Sequence, residues 1–141
     1  MIAYRITRDR FADLSGEGGL KLESRCNVRG TRVIYAAHHA SLSLLEVLVH
    51  LPKRVPKDYV LLTIEIPEYI SAWRKPASWI KEESKQPKHS LYLVPSVIVP
   101  QEMNVVMFPE APNFDAAILN KEPFPIDERL LTLLRRYQVH S

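Results

Sequence analysis

The chain has 141 residues, 46% of them hydrophobic, enough for one domain with a core of its own and too few for two comfortable ones. A formal net charge of +3 and a pI near 9.1 favour acidic ligands such as phosphates without requiring a nucleic acid. The single cysteine, Cys26, excludes an intrachain disulfide; no charged-then-apolar leader or membrane-length apolar run is visible, so the expectation is a cytoplasmic protein with no membrane contact.

In chain order, MIAYRIT is rich in β-branched and aromatic residues and predicts a first strand. The glycines of the following SGEGG do not sit between a strand and a helix in the GxGxxG order, so a Rossmann-type dinucleotide site is not expected. The polar stretch ESRCNVRGT carries Arg25 and leads into a second strand, TRVIYAA, which holds Tyr35. Next comes LSLLEVLVHL, Leu42 to Leu51, in which seven of ten residues are Leu or Val. It predicts a helix beginning near Ser41 or Ser43, ending before Pro52, and packed on nearly every side.

DYVLLTIEIP, LYLVPSVIVP and NVVMF predict three more strands. Between the first two of these, Ser71 to Ser90 is the most polar long segment, predicting a surface excursion with one short helix around Trp79 to Lys85, either a lid or a solvated loop. DERLLTLLRRY, acidic at its start and basic at its finish, suits the helix dipole and predicts a further helix. Eleven prolines argue against a helical bundle, because each removes a backbone donor. The expected fold class is α+β: one domain spanning residues 1–141, with a mixed central sheet and few helices.

Glu46 is the fully charged residue within the apolar helix, and a desolvated, unpaired carboxylate is costly. The sequence Ser43-Leu-Leu-Glu46 has the spacing of a capping box, with Ser43 as N-cap and Glu46 in the first turn, which would be a purely structural reason for the glutamate. His50, four residues on, either pairs with Glu46 or orients it. Arg25 and Tyr35 offer a different reason. Arginine carries a planar fork suited to phosphate, tyrosine a flat face for a ring, and a held carboxylate stabilises a developing cation. Spacing alone leaves Arg25 equally open to a surface ion pair and Tyr35 to a place in the core. Cys26 with His38, His39 or His50 lacks any feature that fixes a base beside the thiol, and the histidines have no zinc-ligand spacing, so neither a cysteine nucleophile nor a metal site is expected.

Several blocks occur together in order: ADLSGEGG (Ala12 to Gly19), SRCNVRGTRVIYAA, SLLEVLVHL and VPSVIVPQEMNVVMFPEAPNF. In these blocks the chain resembles the RES-domain family, the toxins of bacterial RES/Xre toxin–antitoxin pairs, over roughly residues 4 to 131. The resemblance implies an ADP-ribosyltransferase-like fold and a toxin that consumes NAD+ as substrate, with no prosthetic group. It places the family's functional Arg, Tyr, Glu and Ser at Arg25, Tyr35, Glu46 and Ser96, with Arg5 or Arg8 as further residues lining the site. On that basis Arg25 would bind the pyrophosphate, Tyr35 stack on the nicotinamide or its ribose, Ser96 hydrogen-bond the ribose or amide, and Glu46 stabilise the cation. A cognate Xre-like antitoxin is the implied partner, with DNA reached only through it, and homodimerisation is a further implication.

Where the family commonly has Gly-Gly-Arg-Trp, this chain has Glu23-Ser24-Arg25-Cys26, without the glycine turn or the adjacent aromatic. Two other function classes follow from the residues. The pI, residues 74 to 88 and the RRYQVH tail would suit a basic nucleic-acid-binding protein or ribonuclease-type toxin; the departures around Arg25 would suit an inactive, partner-binding relative. The acceptor of ADP-ribose, whether water, phosphate or protein, is not encoded in any motif.

Overall fold

Apolar alternation builds the sheet. A computed structural model describes residues 1–140, with side chains as far as Arg136. In β3 (Tyr59–Glu65), Val60, Leu62 and Ile64 are buried and the residues between them are less so, the period of a strand that packs one face. Its neighbour β1 (Ile2–Arg8) runs antiparallel to it from Ile2↔Glu65 to Arg8↔Tyr59. By contrast, β5 (Leu91–Pro95) and β6 (Met103–Met107) bury nearly every residue, because both of their faces are covered. With β2 (Ile34–Ala37), β4 (Trp73–Arg74) and β7 (Ala117–Pro123), they form one seven-stranded mixed sheet in the order β4-β5-β6-β2-β1-β3-β7, antiparallel except for β4 beside β5. The helices are α1 (Ala40–Leu48), α2 (Ala77–Glu83) and α3 (Glu128–His140), so the α+β class and its five expected strands are observed.

The register divides the side chains between two faces. Ala3, Ile34, Ala36, Leu62, Ile64, Leu91, Leu93, Val105 and Met107 form a core on one face. Tyr92, Val94, Val106 and Phe108 form a second core on the other, with Cys26, Val33 and Ile80 packed on them and Tyr35 at its border. α1 packs against β1 and β2, and among the described residues no helix is long and apolar enough to cross a membrane.

Three expectations need correction. α1 starts at Ala40 after an N-cap at His39, without a side-chain cap, so Ser43 lies inside the helix and Glu46 near its C-terminal end. No capping box forms. Ser43 Oγ instead accepts the backbone N–H of Ile6 at 2.9 Å, a donor left over because β2 pairs with β1 only at Tyr4↔Ala37. Nor is α1 packed on nearly every side, since Leu45 is 38% exposed and Val49, at its C-cap, 56%.

The polar segment from Ser71 to Ser90 is more firmly held than a solvated loop. It contributes β4 to the sheet and α2, whose Ile80 is buried in the second core. Ser84 Oγ accepts the N–H of Val28 at 2.9 Å and donates to Lys81 O at 2.6 Å, while Thr31 Oγ1 donates to Ser84 O at 2.7 Å. Trp73 stacks on His89 with ring centroids 4.0 Å apart. The segment therefore buttresses the loop that carries Arg25.

Ser43→Ala removes the acceptor of a buried amide and is expected to lower unfolding free energy by about 1–3 kcal/mol in urea titrations. Unchanged stability would mean that the Ile6 amide finds another partner.

Candidate functional site

Glu46 sits in the last turn of α1, where the helix dipole opposes an anion. Two neutral donors compensate. Ser96 Oγ donates to Glu46 Oε1 at 3.1 Å, and Asn104 Nδ2 donates to the same oxygen at 2.9 Å. Glu46 Oε2 has no protein partner among the described residues, and His50 is exposed and forms no ion pair with Glu46. Ser96 is only 2% exposed, and its Oγ also accepts the N–H groups of Ile98 and Val99, each at 3.0 Å. A hydroxyl has one proton and two lone pairs, so this one is fully used and its proton is committed to Glu46. Ser96 therefore orients the carboxylate, in place of the direct ribose or amide contact expected of it.

Asn104 was not anticipated. It is buried on β6, opposite Ala37 on one side and Val94 on the other. The available signal was an amide side chain opening the apolar run NVVMF, since asparagine is depleted in strands.

Tyr35 lies on the same face of the sheet. It pairs with Val106, and Ala37 pairs with Asn104, so Tyr35 and Asn104 are diagonal neighbours, ~7–8 Å apart by sheet geometry. The tyrosine hydroxyl donates to Asn27 Oδ1 at 2.7 Å and touches Ser24 Oγ. Asn27 is fixed in turn, its amide nitrogen donating to Leu22 O at 3.0 Å and Val28 O at 3.1 Å. The turn closes through Ser24 N–H donating to Asn27 O at 3.1 Å. Arg25 is exposed on this turn and forms no ion pair among the described residues.

The departure from the family pattern is accommodated locally. Neither Glu23 nor Ser24 adopts a left-handed backbone, so no glycine is needed there; Ser24 supplies a hydroxyl that ties Asn27 (2.5 Å) to Tyr35, and Cys26 fills part of the second core. Two of the three glycines of SGEGG, Gly16 and Gly19, have a structural reason. A Cβ on Gly19 would lie 2.0 Å from Thr31 O, and Gly16 has φ of 68°.

Arg25, Tyr35, Glu46 and Ser96 thus belong to one side of the sheet, whereas Arg5 and Arg8 do not join them. Arg5 faces the other side, in register with Leu62, where its guanidinium donates to the carbonyl of Tyr35 at 2.7 Å and lines a small cleft with Phe11, Asp13 and Gly16. Burial pulls the Arg5 pKa down to about 10, still charged at neutral pH. Arg8 pairs with Asp58 at 3.0 Å on the surface. Among the described residues no group of three metal-ligating side chains is present.

Comparison with known proteins matches the RES domain to residues 2–83. The chain is 36% identical to "Toxin Res" of Pseudomonas putida over 92% of its own length and 99% of that protein's. It is 32% identical to the "Prs ADP-ribosylating toxin" of a Sphingobium species, over 72% of this chain and 75% of that one. In fold it is similar to a chain in the crystal structure of the M. tuberculosis MbcT-MbcA toxin-antitoxin complex, with a TM-score of 0.64 at 17% identity, covering 96% of this chain and 88% of the other.

Burial sets the ionisation of the groups nearest Arg25. It pushes the Tyr35 phenol up to about 12, against the opposing bond from Ser24, so Tyr35 stays protonated at physiological pH and acts as a neutral face and donor. It also pushes the Cys26 thiol up to about 11 despite the nearby positive charge of Arg25. A thiol this far from ionisation is a poor nucleophile. At pH 8 the folded protein is expected to leave Cys26 unmodified by a thiol-specific disulfide reagent, with one equivalent reacting after unfolding in guanidinium. Rapid native-state labelling would contradict its burial.

Proposed function

The chain belongs to the RES-domain family, and from that premise we propose that it is the toxin half of a toxin–antitoxin pair and cleaves NAD+ at the nicotinamide–ribose bond. The observation that carries this reading is the Glu46 carboxylate. One of its oxygens takes both neutral donors and the other has no protein partner, on the side of the sheet that also holds the fixed ring of Tyr35. Names borne by the relatives, "Toxin Res" and "Prs ADP-ribosylating toxin", agree with it.

The chemistry suits these residues. In NAD+ the nicotinamide is already cationic, so the bond to ribose breaks with its electron pair passing to the ring nitrogen and no proton required. Positive charge then builds on the sugar, as in glycoside cleavage without the acid step. Glu46, held by Ser96 and Asn104, supplies a fixed negative charge to that oxocarbenium, and a preorganised charge stabilises it without reorganising at the moment of reaction. Arg25, exposed and without a carboxylate partner among the described residues, binds the pyrophosphate with its planar fork. Tyr35 offers its ring to the nicotinamide ribose, with Arg5 tied to its backbone from behind. NAD+ is substrate in this scheme, and water, phosphate or a protein nucleophile completes it.

A cognate Xre-like antitoxin is the proposed partner, supported by the fold shared with a chain of a toxin–antitoxin complex; contact with DNA would be made by that partner. The cytoplasm is the compartment this reading requires, and a homodimer is compatible with it.

Purified protein incubated with NAD+ is expected to release nicotinamide, and product analysis with and without phosphate identifies the acceptor. Glu46→Gln keeps a side-chain oxygen to accept from Ser96 and Asn104 and should melt within about 2 °C of the wild type, while turnover falls on the order of 10²–10³-fold. Arg25→Lys should also lose turnover, because an ammonium does not reproduce the fork. Absence of nicotinamide release by the wild type, or undiminished release by Glu46→Gln, would refute the proposal.

A further inference from the structure

We infer that Asn104 is a positioning residue for Glu46, setting which carboxylate oxygen faces the substrate; the inference rests on the NAD+-cleaving reading above. The amide can be oriented in only one way. A carboxylate accepts and does not donate, so the Asn104 nitrogen must face Glu46 Oε1, as it does at 2.9 Å. The amide oxygen is consequently turned away, and it is enclosed with no hydrogen-bond partner. An orphaned buried acceptor opposes folding. On a strand that continues Val105, Val106, Met107, an aliphatic residue would avoid that cost, so the benefit of Asn104 must lie elsewhere.

That benefit is not the rescue of a buried charge. Glu46 is only partly buried and solvent already reaches it. What Asn104 adds is direction. Ser96, anchored by two backbone amides in the loop after β5, and Asn104, on β6, approach from separate elements and meet on one oxygen. Two donors from separate mounts fix the plane of a carboxylate where one would leave it free to swing. Asn104 has the firmer mount, because its backbone pairs with Val94 on one side and Ala37 on the other. Glu46 Oε2 is thereby left as the oxygen that meets the sugar.

The test compares Asn104→Leu and Asn104→Asp with wild type in nicotinamide release and melting. Asn104→Leu removes the donor and the orphaned oxygen together. It should melt no lower than wild type while kcat falls on the order of 10²-fold, the scale of a misplaced reacting group, with little change in KM. Asn104→Asp places an acceptor against Glu46 at pH 8, where turnover should be lowest. As pH falls toward the titration of the introduced carboxyl it regains a proton to donate, and turnover relative to wild type should climb at least ten-fold, since above the pKa the protonated fraction rises about ten-fold for each unit the pH falls. A residue serving folding alone would give no such pH-dependent recovery.

If wild type releases nicotinamide and both variants follow it in kcat at every pH, Asn104 has no positioning role. A loss of kcat that merely tracks the folded fraction overturns it equally. If wild type itself releases none, the NAD+ reading falls, and this inference falls with it.

Discussion

The convergence of Ser96 and Asn104 on a single oxygen of Glu46 is the constraint around which the functional side of this protein is organised. It joins α1, the loop after β5 and β6, three pieces far apart in sequence, and it does so with neutral donors. Neutrality matters. A lysine or arginine at either position would hold the carboxylate more tightly but cancel the charge that the proposed cleavage requires. Serine and asparagine fix the direction of the negative charge and leave it in place.

The fold supplies the rigidity that such an arrangement needs. β5 and β6 are buried on both faces, so Asn104 rises from the best-supported part of the sheet, and Tyr35 rises one strand away. Arg25 is carried differently, on a turn outside the sheet. That turn is joined to Tyr35 through Ser24 and Asn27, and its following residues are joined to Ser84 behind α2. The polar segment from Ser71 to Ser90 therefore acts at a distance from the site, by holding the loop on which the arginine stands.

What the sequence revealed depended on whether a residue's reason was local. β1, β3, β5 and β6 were legible because their apolar residues report the faces they bury. β7 was not: every residue of AILNKEP is exposed, and its Lys, Glu and Pro are those of an edge strand, which looks like loop until its partner β3 is known. Ser43 and Glu46 had the spacing of a capping box, but the helix begins four residues earlier than that pattern requires, and the amide that Ser43 satisfies belongs to Ile6, 37 residues away. The resemblance identified Glu46 and Ser96, which do meet. It did not identify Asn104, whose importance comes from standing opposite Ala37 in a register no local pattern records.

Among the described residues the interior leaves a few polar atoms unpaired, and they are not all at the site. Enclosed polar atoms without partners are Arg5 Nε, His38 Nε2, Tyr92 hydroxyl and Asn104 Oδ1. Tyr92 shares Val106 as a cross-strand neighbour with Tyr35, His38 directly follows Ala37, the partner of Asn104, and Arg5 holds the Tyr35 carbonyl. A chain selected only for stability would replace such groups with apolar ones, as it has done throughout the core formed by Leu62, Ile64, Leu91 and Val105. Of the four, Asn104 is the one whose other amide atom binds Glu46, so there the cost of an unpaired acceptor is set against the placing of a carboxylate; Arg5 lies on the opposite face of the sheet and Tyr92 within the second core.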